Sequence, residues 1–111
     1  MSAYNYQEIE FKIAVKEGYY YYEQEVTPAY LICGTGISWA SLVVHQLPGE
    51  FRKERWFVSE YTTGGAIDIP ETTVMEAAAA SAVEKIRALG QDGFQKALAR
   101  TRTRKEKTWR S

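Results

Sequence analysis

The chain has 111 residues, 45% of them apolar and 25% charged, with 14 basic and 14 acidic side chains that cancel formally. That length predicts one domain, able to bury roughly 60–70% of the surface its unfolded form exposes. No run of about 18 apolar residues occurs, which argues against a membrane-spanning helix. The single cysteine, Cys33, excludes an internal disulfide and a zinc cluster built on cysteines.

Residues 8–16, EIEFKIAVK, alternate: Ile9, Phe11, Ile13 and Val15 against Glu8, Glu10, Lys12 and Lys16. Period two is the mark of a half-buried strand. Glu17-Gly18 is a turn, and the tyrosine-rich stretch from Tyr19 to Val26 is a second strand, so the pair predicts an antiparallel hairpin. Thr27-Pro28 interrupts it, because proline cannot donate to a ladder. Tyr30 to Cys33 is apolar, and Gly34-Thr35-Gly36 is a turn or bulge. Ile37 to Leu47, ISWASLVVHQL, has a length that suits helix or strand; its β-branched residues and Trp39 favour strand. Pro48-Gly49 ends it, and a charged loop runs to Arg55. Trp56 to Tyr61 is a strand, Thr62-Thr63-Gly64-Gly65 a tight turn, and Ala66 to Ile69 a short returning strand.

Residues 73–90, TVMEAAAASAVEKIRALG, predict the main helix. Thr73 and Glu76 have the spacing of a capping box. Gly90 closes the helix in the left-handed C′ conformation. Met75, Ala79, Ala82, Val83, Ile86 and Leu89 recur at steps of three and four as one apolar stripe. Five alanines between Ala77 and Ala82 favour helix and permit close approach to a flat partner. Asp92 and Gln95 would cap a short second helix anchored by Phe94 and Leu98. The remainder, from Arg100, is a frayed helix end or a mobile tail. Strands first and helix last predict an α+β fold: an antiparallel meander of about four to five strands, with one main C-terminal helix packed on it and a short second helix. Residues 1–95 form the single domain, and 96–111 a basic helix end or tail.

Residues 55–95 resemble small uncharacterised proteins of phages and prophages. The resemblance rests on Trp56, Val58, Ser59, Thr63, Gly64, Ile67, Thr73, Glu76, Ala77, Ile86, Gly90 and Phe94, a hairpin followed by a capped helix, and covers about a third of the chain. It implies a mobile-element origin, and no catalytic residues carry over from it. Small phage proteins often bind a host or phage macromolecule, sometimes as inhibitors such as anti-CRISPR proteins.

Cys33 and His45 are the one combination of thiol nucleophile and imidazole base, and would need mutual hydrogen-bond reach to act together. Free cysteine is more often simply buried. Gly34-Thr35-Gly36 lacks the third glycine or the lysine of a phosphate loop. Glu8 with Glu10, and Glu23 with Glu25, sit two apart as solvated strand carboxylates do; no metal or other cofactor is expected. Of the tyrosines, strand alternation places Tyr19 and Tyr21 on one face and Tyr20 and Tyr22 on the other, so one pair meets solvent, a partner, or a cross-strand neighbour. The stretch Ile37–Leu47 is apolar on both faces, and one helix covers only one. The excess predicts a homodimer or a protein partner, with Tyr20, Tyr22, Trp39 and Trp56 as the contact residues.

Charge is unevenly spread. Residues 1–95 carry 7 basic and 13 acidic side chains, and residues 96–111 carry 7 basic and 1 acidic. The basic set is Lys96, Arg100, Arg102, Arg104, Lys105, Lys107 and Arg110, with Trp109 beside it. Cations release counterions from phosphates and tryptophan stacks on bases, so residues 100–110 are a candidate nucleic-acid contact. The acidic body would repel nucleic acid, so the tail would act alone. The sequence thus predicts a non-enzymatic binding protein of phage type, acting through a protein interface. The alternative is nucleic-acid binding through the tail. With no apolar signal core in MSAYNYQEIEF, a cytoplasmic location is expected.

Overall fold

A computed structural model describes residues 4–26, 28–46 and 54–110. The strands are β1 (Asn5–Glu8), β2 (Lys12–Glu17), β3 (Tyr20–Glu25), β4 (Ala29–Cys33), β5 (Leu42–His45), β6 (Phe57–Glu60) and β7 (Ala66–Ile67). One helical run, α1 (Met75–Arg110), follows. The fold is α+β, as the order of patterns implies. Its five-stranded antiparallel sheet has the order β1-β4-β5-β6-β7. The predicted hairpin is present, but β2 and β3 form a separate two-stranded ribbon instead of joining the sheet.

The ribbon is the far half of one long hairpin. β1 pairs β4 from Asn5↔Cys33 to Glu8↔Tyr30, and β2 pairs β3 from Lys12↔Glu25 to Glu17↔Tyr20. Between Glu8↔Tyr30 and Lys12↔Glu25, three residues on one strand are spanned by four on the other. That one-residue mismatch is a bulge, and a bulge bends and twists the strands that carry it. Pro28, which has no N–H to donate, lies within it. Beyond the bend the ribbon leaves the sheet and ends in the turn at Gly18, whose φ of 62° suits the first central position of a two-residue hairpin turn.

The sheet is covered on both faces at its centre. On one face Ile32, Leu42, Val44 and Val58 pack against Ala78, Ala79, Ala82, Val83, Ile86 and Phe94. On the other, Val43 and Ala29 lie under Phe11 and Val26 from the root of the ribbon. All four residues of β5 are buried, with Val43 and Val44 at 0% exposure. The second face of this central strand therefore does not await a partner: the bent hairpin supplies the cover. The stretch expected as one strand from Ile37 is shorter than its apolar content implied. The strand itself is Leu42–His45, with one further backbone bond at each end through Ser41 and Gln46; Ile37 to Ala40 form a bent connection, and Leu47 lies outside the described residues. Pro48-Gly49 and the loop as far as residue 53 also lie outside them, as does Thr27.

The helix begins one residue later than the capping box suggests. Its first bond runs from the Ala78 N–H to the Val74 carbonyl, and the hydroxyl accepting from the Val74 N–H is that of Thr72. Gly90 interrupts the run with φ 74° and ψ 170°. The φ is positive as expected, but the ψ is extended, a region almost confined to glycine. Helical structure resumes after Gly90 and continues to Arg110, so the stretch after the break is a longer run than the short second helix expected from Asp92.

Candidate interaction surface

The ribbon carries the two most exposed large hydrophobic side chains of the described residues, Tyr19 and Tyr20. Its register places Phe11, Ile13, Tyr20, Tyr22 and Val26 along one face, since Ile13 pairs with Gln24 and Glu17 with Tyr20. Exposure rises along that face from root to tip. Val26 and Phe11 are buried at 2% and 4%, Ile13 is half-buried, and Tyr22 and Tyr20 reach 40% and 77%. Tyr19, in the turn, is 99% exposed. The apolar stripe thus continues past the sheet that shelters its root. Lys12, Glu23 and Glu25 occupy the other face and are exposed, as an amphipathic ribbon requires. Tyr61, from the turn after β6, stacks on Phe11 with ring centroids 6.2 Å apart and is 48% exposed.

The four residues expected to form an interface are not brought together. Tyr20 and Tyr22 are on the ribbon. Trp39 and Trp56 pack against the helix-side core, Trp39 with its ring centroid 5.4 Å from that of Phe94 and Trp56 6.3 Å from Tyr30. Both tryptophans are half-buried. Tyr19 joins the tip because it lies in the turn. Alternation alone pairs it with Tyr21, but alternation fails where the chain reverses.

Two buried polar side chains of the body, His45 and Glu60, are committed internally. His45 is 1% exposed; its Nε2 lies 2.8 Å from the Ser59 hydroxyl and its Nδ1 3.0 Å from the Gln46 carbonyl. Burial pushes its pKa below the usual 6.5, partly opposed by the bond to Gln46. A carbonyl only accepts, so Nδ1 carries the proton and Nε2 accepts from Ser59. Cys33 is not its partner. Cys33 pairs with Asn5, whereas His45 pairs with Ala29, four positions back along β4, or about 13 Å at strand rise. Glu60, 3% exposed, accepts from the N–H groups of Thr62 and Thr63 at 2.9 Å and from the Thr62 hydroxyl, which fastens the β6–β7 turn.

Gly34-Thr35-Gly36 is a turn. Both glycines have positive φ, 77° and 75°, the Thr35 hydroxyl accepts from the Ile37 N–H, and Arg87 donates to the Thr35 carbonyl. A cleft of ≈ 210 Å³ opens at the elbow of α1, lined by Ile67, Ile86, Leu89, Phe94 and Leu98. Leu89, expected within the buried stripe, is 47% exposed there, because the stripe leaves the sheet where the helix breaks. Among the described residues, no group of three or more His, Cys, Asp or Glu side chains could hold a metal ion, and no helix is long and apolar enough to cross a membrane.

In the basic segment, Lys96 and Arg100 are exposed on helical backbone. The side chains of Arg102, Arg104, Lys105, Lys107, Trp109 and Arg110 lie outside the described part of the structure.

Comparison with protein-family models, curated proteins and solved structures finds no match to this chain.

Proposed function

We propose that the protein is a non-enzymatic binding protein, of the mobile-element type its hairpin-and-helix pattern resembles, and that it acts through a protein contact at the outer half of the β2–β3 ribbon. The gradient of exposure from Val26 to Tyr20 carries this reading. An apolar face sheltered at one end and bare at the other offers its bare end to another molecule. Tyrosine suits such a contact, because it contributes large area, few rotatable bonds and a polar tip that tolerates water when unbound. Catalysis has less support, since the thiol and imidazole stand apart and both ring nitrogens of His45 are occupied.

The test places a photo-crosslinking amino acid at position 20, and in a control at Glu84 on the exposed side of α1. The reading expects a discrete protein adduct, a second copy or another protein, from position 20 alone, abolished by Tyr22→Ser together with Tyr19→Ser. Equal labelling from both positions, or an adduct to nucleic acid alone, would overturn it.

A further inference from the structure

We infer that the ribbon's partner is the ribbon of a second copy of this chain, the two joined edge to edge by antiparallel pairing of β3 with β3, centred on Tyr22. The inference deepens the binding reading above and rests on it.

The edge comes first. In an antiparallel ladder, alternate residues direct their N–H and C=O to the neighbour on one side and then the other. The Val26 N–H donates to the Phe11 carbonyl at 2.9 Å, which continues the register of β3 with β2. By that alternation Gln24, Tyr22 and Tyr20 direct their backbone groups toward β2, and Glu25, Glu23 and Tyr21 direct theirs outward. Among the described residues no strand pairs with that outer edge. An open edge is a template for one more strand.

Register then selects which strand. A two-fold axis normal to the ribbon keeps each side chain on its own face, so even positions must oppose even ones and odd positions odd ones. Two such registers use most of β3. The one centred on Glu23 sets two carboxylates directly opposite each other, which is destabilising. The one centred on Tyr22 sets Tyr22 against Tyr22, Tyr20 against Gln24, and Glu23 against position 21, so no carboxylate opposes another. Glu25 already has Lys12 directly across the ribbon in its own chain, both of them exposed.

The exposure gradient fits the same pairing. With position 20 of one ribbon beside position 24 of the other, each Tyr20 lies diagonally next to the second copy's Val26. Diagonal neighbours are about 7–8 Å apart, within reach of an aromatic side chain. Tyr20 is 77% exposed at the tip, and Val26 is 2% exposed at the root. The bare tip of each copy therefore meets the sheltered root of the other, and the two bodies lie at opposite ends of a four-stranded ribbon. A contact through residues 20–24 of each copy falls at the small end of specific interfaces, below about 1,200 Å² in total, so the dimer is a reversible one.

Cysteine trapping of the full chain, in a Cys33→Ser background, tests the register. Opposed residues whose backbones point away from each other, as at position 22, have Cα atoms about 4.5 Å apart, within disulfide range. Tyr22→Cys should form an intermolecular disulfide at least about tenfold faster than Tyr20→Cys or Gln24→Cys alone, since the paired state raises the local thiol concentration. Mixing Tyr20→Cys with Gln24→Cys should give the mixed disulfide at the faster rate. Adding Glu23→Pro to Tyr22→Cys removes an outward N–H, which an edge strand tolerates, and should abolish trapping with unchanged circular dichroism. Equal rates at the three positions, no disulfide from Tyr22→Cys, or trapping that survives Glu23→Pro overturns the self-pairing. Should photo-crosslinking from position 20 then still capture a different protein, the ribbon stays the binding surface and only its partner changes. Should neither method mark the ribbon, the binding reading falls as well.

Discussion

The His45 ring and the Ser59 hydroxyl meet across the paired strands β5 and β6, 2.8 Å apart and buried, on the sheet face that the ribbon root covers. With Nδ1 donating to the Gln46 carbonyl, both ring nitrogens are satisfied only in the neutral form. A protonated ring would present a second donor to a buried hydroxyl and carry an unpaired charge into the core.

Stability should therefore fall in acid through this one group. Its folded pKa lies below 6.5, so under that pH the unfolded chain takes up a proton that the folded chain refuses. The contribution is complete above 6.5. It is lost as pH drops below 6.5, at up to about 1.4 kcal/mol per pH unit, until the folded pKa is reached. Urea melts from pH 8 to pH 5 measure the slope, and His45→Gln should remove the share that begins at 6.5. Ser59→Ala, which strips Nε2 of its partner, should cost about 1–3 kcal/mol at pH 7.5. A His45→Gln profile that runs parallel to the wild type would dismiss histidine as the source.

Gly90 offers a test of opposite sign from the usual helix substitution. In a regular helix, glycine to alanine stabilises by about 0.8–1 kcal/mol. Here φ 74° and ψ 170° lie where side-chain-bearing residues are strained. An added Cβ would meet nothing within 4 Å, so the penalty is conformational and not a clash. Gly90→Ala should destabilise by about 1–3 kcal/mol. Should the chain straighten instead, Phe94 would leave Trp39, and the emission of that tryptophan would shift to the red. A stabilised variant with unchanged fluorescence would mean that the elbow is an ordinary helical turn.

How much of this is legible in the sequence follows from the range of each signal. The three-and-four spacing over Ala79–Ile86 is local, and the helix forms where it points. Alternation over Ile9–Val15 is local too, but only its second half pairs in β2, since Ile9 to Phe11 fall in the bulge. That bulge is half visible: Pro28 announces an interruption, but only the pairing partners reveal that four residues span three there. From that mismatch comes the bend, and from the bend the cover over Val43. The two apolar faces of Leu42–Val44 are legible, but the source of the second cover is not, because Phe11 lies about thirty residues earlier in the chain. Composition singles out Tyr20 and Tyr22, and they do stand exposed. It singles out Trp39 and Trp56 in the same way, and these stand half-buried against the helix-side core, a difference that residue type does not reveal.

Phe11 is where the ribbon is fastened, and its loss should be felt at His45. Its ring centroid lies 5.5 Å from that of His45 and 6.2 Å from that of Tyr61, and the residue is 4% exposed. Phe11→Leu keeps an apolar side chain there but withdraws the ring from both neighbours. It should cost about 1–3 kcal/mol, less than the ~3–5 kcal/mol of a full truncation to alanine. Water reaching the imidazole should raise its pKa toward 6.5, so the acid slope of Phe11→Leu should be shallower than the wild type's, read directly from the histidine ring proton shifts against pH. Tyr20→Ser with Tyr22→Ser, by contrast, changes groups with little beneath them. Those substitutions should leave stability within about 0.5 kcal/mol each and the histidine titration unmoved. Tip variants as costly as the root variant would show that the tyrosines are sheltered within the single chain, and would remove the bare face on which binding depends.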